Sequence, residues 1–92
     1  MGTLDIYFTS RFKKDYRNMV KRGVKPALLE TILDLLRAQT PLPEKYRDHE
    51  LSGDYAGFRE CHILPDWLLI YRVEEERMVL VLFRTGSHSD LF

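Results

Sequence analysis

The spacing of apolar residues changes once along this chain, from a helical repeat to a strand repeat. Between residues 10 and 37 the apolar side chains recur every three or four positions, which is typical of helices that bury one side. From residue 58 to residue 83 they alternate or run continuously, which is typical of strands. A chain of 92 residues has room for a single core. The helices and the strands must therefore pack around the same core.

The N-terminal part predicts a short strand followed by two helices. Residues 4–8 are β-prone and lead into Thr9 and Ser10, either of which can cap a helix. The first helix is expected to stop at Gly23, and Pro26 suits the first turn of the second. In the first helix Phe12, Tyr16, Met19 and Val20 recur at helical spacing, with lysines and arginines between them. The buried stripe of the second is predicted to be Leu29, Ile32, Leu33 and Leu36.

The C-terminal part predicts three strands, after a loop that begins with the Thr-Pro-Leu-Pro segment at residues 40–43. The predicted strands are residues 58–64, 67–73 and 78–83. A polar hairpin loop at residues 74–77 separates the last two strands, and Pro65-Asp66 turns the chain before them. The expected order is β-α-α-β-β-β. This order favours an α+β fold of one domain, residues 1–92, with a small antiparallel-rich sheet and both helices packed on one face.

Composition narrows the class of protein. The longest apolar run is too short to cross a membrane, and no signal peptide is visible at the N-terminus. The single cysteine cannot form an internal disulfide, which fits a reducing compartment. We therefore expect a cytoplasmic protein with no membrane partner. The chain has no glycine-rich phosphate loop and no paired-cysteine or paired-histidine metal motif, so neither a metal nor another cofactor is expected.

The net charge of zero conceals a strong asymmetry. Residues 1–25 carry seven basic and two acidic side chains, and the remaining residues carry seven basic and twelve acidic ones. A basic first segment indicates a surface for nucleic-acid phosphates or for an acidic partner, although a solvated helix face accounts for it equally well. The basic residues that would form this surface are Arg11, Lys13, Lys14, Arg17, Lys21 and Arg22.

The predicted strand at residues 58–64 sorts its polar side chains by face. Strand periodicity places His62 beside Glu60 on one face and Cys61 on the other. A catalytic or metal-binding pair of Cys61 and His62 is thereby excluded. Cys61 is most simply a small buried apolar residue.

The sheet is expected to gather polar side chains at one end. Arg84 follows Leu80 and Leu82 on the same side of the last strand, and Gly86 allows the chain to fold back. The residues expected at this end are His62, Asp66, Arg84 and His88, with His49 in a loop that closes over them.

Histidines beside a carboxylate and an arginine suit the cleavage of RNA by its own 2′-hydroxyl. One imidazole removes the 2′-proton, a second protonates the departing 5′-oxygen, and a cation stabilises the crowded phosphate. The reaction needs no metal and leaves a 2′,3′-cyclic phosphate and a 5′-hydroxyl. A zinc site of His49, His62 and His88 is geometrically possible, but the spacing gives it no specific support.

Each candidate also has a purely structural interpretation. His49 alone would be read as an exposed loop residue, and His62 as a sheet histidine bonded to a neighbouring carboxylate. Asp66 would be a turn former, and Arg84 would pair with an acid. Phe92 either stacks on an RNA base or docks on the core. Only the relative positions of these side chains distinguish the two interpretations.

Two long segments carry a resemblance to a known family. They are YRDHELSGDYAGFRECHILPDWLLIY at residues 46–71 and FRTGSHSDLF at residues 83–92. They resemble the YafQ branch of the RelE/ParE toxin superfamily, and the likeness runs over nearly the whole chain. The resemblance implies a RelE-like fold and the toxin of a bacterial type II toxin–antitoxin pair. It also implies a ribosome-dependent endoribonuclease that cuts mRNA in the ribosomal A site, inhibits translation and is neutralised by a cognate DinJ/RelB-like antitoxin in a hetero-oligomer.

The family's functional positions match residues of this chain. The matching positions are His49, His62, Asp66, His88 and Phe92, with Arg84 at the phosphate-contacting arginine. We assign His88 as general acid and His49 as general base, with His62 and Asp66 orienting the rings or sharing the proton transfer. The main alternative is a toxin of the same fold that binds a protein such as gyrase and has no nuclease activity. A harmless binding domain and a metal-dependent hydrolase are further alternatives.

Overall fold

The computed structural model describes residues 3–92 and contains, within that range, five strands and three α-helices. The strands are β1 (Asp5–Phe8), β2 (His49–Glu50), β3 (Arg59–Leu64), β4 (Trp67–Glu74) and β5 (Val79–Gly86). The helices are α1 (Ser10–Lys21), α2 (Pro26–Arg37) and α3 (His88–Leu91). The predicted β-α-α-β-β-β order is thus confirmed, with β2 and α3 added.

The strands form one mixed sheet in the order β1-β5-β4-β3-β2. β1 runs parallel to β5, and the other neighbours are antiparallel. Because β4 and β5 lie in the middle of the sheet, their continuous apolar patterns are those of buried central strands. The short β2 forms the edge opposite β1.

α1 and α2 pack on one face of this sheet, as predicted. Thr9 caps α1, since its hydroxyl accepts a hydrogen bond of 3.0 Å from the backbone N–H of Phe12. The apolar stripe of α2 is buried at all four predicted positions. Of the apolar residues of α1, Phe12 and Met19 are buried, Tyr16 is partly buried against the same core, and Val20 is 42% exposed.

The two faces of β3 carry different chemistry, as its alternation predicts. Cys61 and Ile63 belong to the main core under the helices. Burial raises the pKa of the Cys61 thiol, so this side chain is a packed apolar group and a poor nucleophile. Glu60 and His62 lie on the opposite face. That face carries a second apolar cluster built around Leu68, Ile70 and Leu91 with the partly buried Leu51, Tyr55, Phe58 and Phe83.

A bulge in β5 changes the side on which Arg84 lies. Ile70 pairs with Arg84 while the next residue, Tyr71, pairs with Leu82, so Phe83 is an extra residue. Ile70 and Tyr71 are consecutive in β4 and face opposite sides of the sheet. Their partners, Arg84 and Leu82, therefore also face opposite sides. The prediction that Arg84 continues the row of Leu80 and Leu82 is therefore wrong.

Among residues 3–92, no helix combines the length and the apolar content needed to cross a membrane.

Candidate active site

Three imidazole rings converge on the sheet face opposite α1 and α2. His49 comes from β2, His62 from β3 and His88 from the start of α3. The ring centroids of His49 and His62 are 6.3 Å apart, and those of His62 and His88 are 5.5 Å apart. The convergence predicted from the sequence is present in the structure.

Glu60 lies between two of these rings. Its Oε1 is 3.4 Å from Nε2 of His49 and 3.4 Å from Nε2 of His62. The residue is only 5% exposed, and Oε2 is buried without a hydrogen-bond partner in the described part of the chain. A buried carboxylate without full pairing is costly, so its position points to a role in the chemistry of the two rings. The sequence placed Glu60 beside His62 but did not identify it as a functional residue.

The hydrogen bonds of His49 fix where its proton is. Nδ1 lies 2.6 Å from the carbonyl oxygen of Arg47. A carbonyl only accepts, so Nδ1 carries the hydrogen and donates it. Nε2 then faces Oε1 of Glu60 across 3.4 Å. A positive charge that forms on this ring would therefore lie next to a carboxylate.

His88 is held by Asp66 in a similar way. Nδ1 of the ring and the backbone N–H of His88 both donate to Oδ1 of Asp66, at 2.7 Å and 2.9 Å. These bonds, the backbone one first, lower the pKa of the Asp66 carboxyl. The ring is 55% exposed at its side chain. With Nδ1 occupied, Nε2 of His88 is the atom available to a substrate.

The Asp66 contact makes the anchoring of α3 sensitive to acid. A lowered carboxyl pKa in the folded state means that the stabilisation is fully present above the ordinary value of 3.8 and is lost as pH falls below it. We expect the backbone amide signal of His88 to shift in NMR spectra as pH falls below the ordinary carboxyl value of 3.8. Asp66→Asn should abolish this titration. A signal that stays constant as pH falls would contradict the anchoring role.

Arg84 is engaged elsewhere. Its guanidinium donates to both carboxylate oxygens of Asp15 in α1, at 2.7 Å and 3.1 Å, and both side chains are largely buried. The hydrogen bond to Asp15 raises the pKa of Arg84. No contact joins Arg84 to the three rings among the described residues. The structural interpretation of this arginine, pairing with an acid, is the one the geometry shows.

Arg84 opens instead onto a small basic cleft beside α1. The cleft measures about 250 Å³ and is lined by Arg11, Lys14 and Arg22 as well as by Asp15 and Asp90. All six basic residues proposed to contact RNA are exposed on α1 or at its C-terminal end. Three of them, Arg11, Lys14 and Arg22, line the same cleft.

A second cleft adjoins the imidazoles. It measures about 480 Å³, within the usual range for small-molecule sites, and its lining includes His62, His88 and Tyr46. Lys45 and Arg47 also line it and bring two positive charges next to the rings. The sequence placed these two cations in the loop before His49 without identifying them as site residues. They lie beside the rings, where the sequence led us to expect Arg84.

Phe92 combines the two interpretations given above. Its ring packs edge-on against Tyr55 with centroids 5.4 Å apart, and yet the residue is 63% exposed. The ring is thus in contact with the protein at Tyr55 while most of it is open to solvent. Within residues 3–92 no group of three or more histidine, cysteine or carboxylate side chains has the geometry of a metal site.

Comparison with known proteins identifies the family. The family described as the bacterial toxin of type II toxin–antitoxin system, YafQ, matches residues 4–92. The mRNA interferase toxin YafQ of Escherichia coli K12 is 38% identical over 89 residues, covering 96% of this chain and 95% of that protein. A metal-bound toxin from Helicobacter pylori is 43% identical with a TM-score of 0.91, covering 97% of this chain and 99% of that one. A chain of the E. coli DinJ-YafQ toxin-antitoxin complex is 36% identical with a TM-score of 0.87, covering 98% of each chain. The present chain therefore belongs to the YafQ family of bacterial toxins of type II toxin–antitoxin systems.

Proposed function

We propose that residues 1–92 form a single toxin domain that cleaves mRNA in the A site of the ribosome. The observation that carries this proposal is the convergence of three imidazoles on one face of the sheet, each within 6.3 Å of the next. One of the rings also carries a free Nε2 at an exposed position. The name of the E. coli relative, an mRNA interferase, supports the same activity.

In this proposal the RNA's own 2′-oxygen attacks the adjacent phosphorus. His49 removes the 2′-proton at Nε2, and the nearby Glu60 carboxylate stabilises the imidazolium that forms. A separation of 3.4 Å is longer than a good hydrogen bond, so the nitrogen remains available to the substrate. His62, which contacts the same carboxylate, orients the pair and shares its proton.

His88 is the acid that protonates the departing 5′-oxygen. Asp66 holds the Nδ1 hydrogen and stabilises the charged ring, as a carboxylate does for the histidine of a hydrolytic triad. The bond from phosphorus to the 5′-oxygen breaks as that oxygen takes the Nε2 proton. The products are a 2′,3′-cyclic phosphate and a 5′-hydroxyl. General acid–base help of this kind is worth about 10²–10⁴ in rate per group.

Cations near the rings stabilise the phosphorane-like transition state. Lys45 and Arg47 line the cleft beside His62 and His88. Arg84 would reach a phosphate only if the RNA displaced Asp15 from its guanidinium. Phe92, exposed beside Tyr55, offers a surface for stacking on a base.

The rival function, inhibition of a protein such as gyrase without nuclease activity, gives no reason for the imidazole cluster. Programmed ribosomes incubated with the protein and mapped by primer extension separate the two. We expect new 5′ ends within codons that occupy the A site. Inhibition of a topoisomerase with intact message would support the rival.

The exposed basic side chains of α1 are proposed to contact ribosomal RNA. Reversing Lys13, Arg17 and Lys21 to glutamate should weaken ribosome binding. It should also lower the slope of log affinity against log salt by about 0.7–0.9 for each phosphate that the variant no longer neutralises. Arg77→Glu, on the β4–β5 turn, is the control for charge reversal on another surface. Unchanged affinity and slope in the triple variant would refute this surface.

Catalysis without a metal is also part of the proposal. A chelator of transition metals, added at constant free Mg²⁺ to keep the ribosomes intact, is expected to leave cleavage unchanged. Loss of activity that returns with added zinc or copper would favour the metal-dependent hydrolase. This control matters because the similar H. pylori toxin was solved with bound metal.

We propose further that a cognate DinJ/RelB-like antitoxin neutralises the toxin in a hetero-oligomer, as the E. coli complex suggests. The site of action is then the cytoplasm, where the ribosomes are. Expression of the chain without its partner should arrest translation, and co-expression of the partner gene should restore growth. Continued growth without the partner would favour a harmless binding domain.

A further inference from the structure

Helix α3 carries His88 but is too short to hold its own conformation. It spans four residues, and a single helical turn is unstable without outside contacts. Besides the contact with Asp66, the turn is held at its last residue. Leu91 is buried in the second apolar cluster, and its carbonyl accepts a hydrogen bond of 3.2 Å from the Tyr55 hydroxyl. The position of the His88 ring therefore depends on what holds this turn.

Asp90 is the point at which the turn is tied together. Its Oδ2 accepts from the backbone N–H of Ser87 at 2.8 Å, and its own N–H donates to the Ser87 hydroxyl at 3.3 Å. These two bonds form a capping box around His88. Asp90 also lies against Gly86, where an added Cβ would approach the Asp90 Cβ to 2.9 Å. Both the turn and the end of β5 therefore contact the Asp90 side chain.

Arg22 grips the same carboxylate from the end of α1. Its Nη1 donates to Oδ2 at 2.6 Å and its Nη2 donates to Oδ1 at 3.1 Å, a two-pronged pair. The Nη1 group also contacts the sulfur of Met19 at 3.6 Å, which steadies the arginine on its own helix. The Arg22 bond is the largest cause of the lowered pKa of the Asp90 carboxyl. α1 is packed on β5, so the guanidinium is a fixed point for the turn.

We infer that Arg22 and Asp90 form a clamp that positions His88 for proton transfer. Arg22 is then a positioning residue that acts through Asp90, and its main role is not contact with ribosomal RNA. The inference rests on the proposed nuclease function. Asp66 fixes Nδ1 and the backbone N–H of His88, and the clamp fixes the rest of the turn that carries the ring.

A double-mutant cycle tests the clamp. Arg22→Ala is expected to lower kcat for cleavage on ribosomes about fivefold with KM unchanged, the size expected for an exposed two-pronged pair. Asp90→Ala should lower kcat further, because it also removes the acceptor of the Ser87 N–H. Because Arg22 acts only through Asp90 in this proposal, the double variant should lose no more than Asp90→Ala alone. Arg22→Lys keeps the charge and one donor, and should recover part of the loss. Lys25→Ala, an exposed lysine at the start of α2, is the control and should keep the wild-type kcat.

The competing role of Arg22 predicts the opposite pattern. If Arg22 binds an RNA phosphate, the two losses multiply, and the double variant falls below Asp90→Ala by the full factor that Arg22→Ala loses alone. Arg22→Ala would then raise KM and flatten the salt dependence of ribosome binding, while Asp90→Ala would not. This pattern overturns the clamp.

A measurement on the free protein separates failure of the clamp from failure of the proposed function. Backbone ¹⁵N order parameters of residues 88–91 should lie near the rigid value of about 0.85 in the wild type and fall toward about 0.6 in Arg22→Ala. Unchanged order parameters overturn the clamp whether or not the protein cleaves RNA. If the turn loosens as expected but the wild-type protein cuts no message on ribosomes, the nuclease proposal fails, and the positioning role fails with it.

Discussion

Replacement of His88 by glutamine is expected to lower single-turnover cleavage of ribosome-bound mRNA by about 10²–10⁴. The glutamine amide reaches the place of Nε2 but has no proton that titrates near neutral pH, so the departing 5′-oxygen leaves without an acid. The bond between Nδ1 and Asp66 is lost as well, which removes the group that stabilises the charged ring. The effect should be confined to the chemical step.

Ribosome binding is the control for this prediction. The basic surface of α1 lies on other residues, so the affinity of His88→Gln for ribosomes should match the wild type. Asp66→Asn keeps an oxygen acceptor for the His88 amide but removes the negative charge. Its cleavage rate should lie between those of the wild type and of His88→Gln. A loss of cleavage and of binding by equal factors in His88→Gln would contradict a purely chemical role.

Glu60→Gln is expected to give the second large effect. It should lower the rate of cleavage and raise the stability of the folded protein. The wild-type carboxylate is 5% exposed, lies 3.4 Å from two imidazole nitrogens and has one oxygen without a partner among residues 3–92. Loss of its charge removes the stabilisation of the imidazolium that forms at His49. We expect cleavage to fall about 10²-fold, the lower end of the range for a group that takes part in proton transfer.

The same substitution should stabilise the folded protein. A neutral amide is easier to bury than an incompletely paired carboxylate, so the free energy of unfolding should rise by about 1 kcal/mol at about pH 8, above the ordinary pKa of histidine. For a domain of this size the melting temperature would rise by about 4–8 °C. Glu50→Gln, at an exposed position of the same edge of the sheet, is the matched control and should change neither quantity appreciably. A Glu60→Gln protein that is fully active, or less stable than the wild type, would remove Glu60 from the mechanism.

The parts of the fold that follow from hydrophobic spacing could be predicted from the sequence. The stripes of α1 and α2 and the alternation of β3 place Cys61 in the core and His62 on the other face, because burial of one face enforces the period. Val20 shares this helical spacing but is 42% exposed, because periodicity does not say where the buried side of a helix ends.

Other parts depend on contacts that carry no periodic signal. β2 is two polar residues long, and it forms because its backbone pairs with β3, placing His49 opposite Glu60. The bulge at Phe83 reverses the side on which Arg84 lies, and a continuous apolar run hides such an insertion. The α3 turn did leave a trace in the sequence, since Ser87 followed three residues later by Asp90 is a capping-box pattern.

The sequence predicted which residues form the site better than it predicted how they are arranged. The convergence of the three imidazoles followed from the topology and from the family resemblance. Glu60 was overlooked because a carboxylate in a strand is usually read as a solvent-facing residue, and its burial between two rings arises only when β2 is in place. Arg84 was expected among the rings because the sequence does not show that it pairs with Asp15, a residue of α1 that is distant along the chain.

The most direct test of the proposed mechanism is cleavage of a message with a single 2′-deoxy nucleotide immediately before the mapped cut. If the clustered imidazoles act on one scissile phosphodiester through its neighbouring 2′-hydroxyl, this message should remain intact on the ribosome, while the all-ribose message yields a 2′,3′-cyclic phosphate and a 5′-hydroxyl. Cleavage of the deoxy message at the same bond, or ends that carry a 5′-phosphate, would show that water or another nucleophile attacks and would contradict the proposed mechanism.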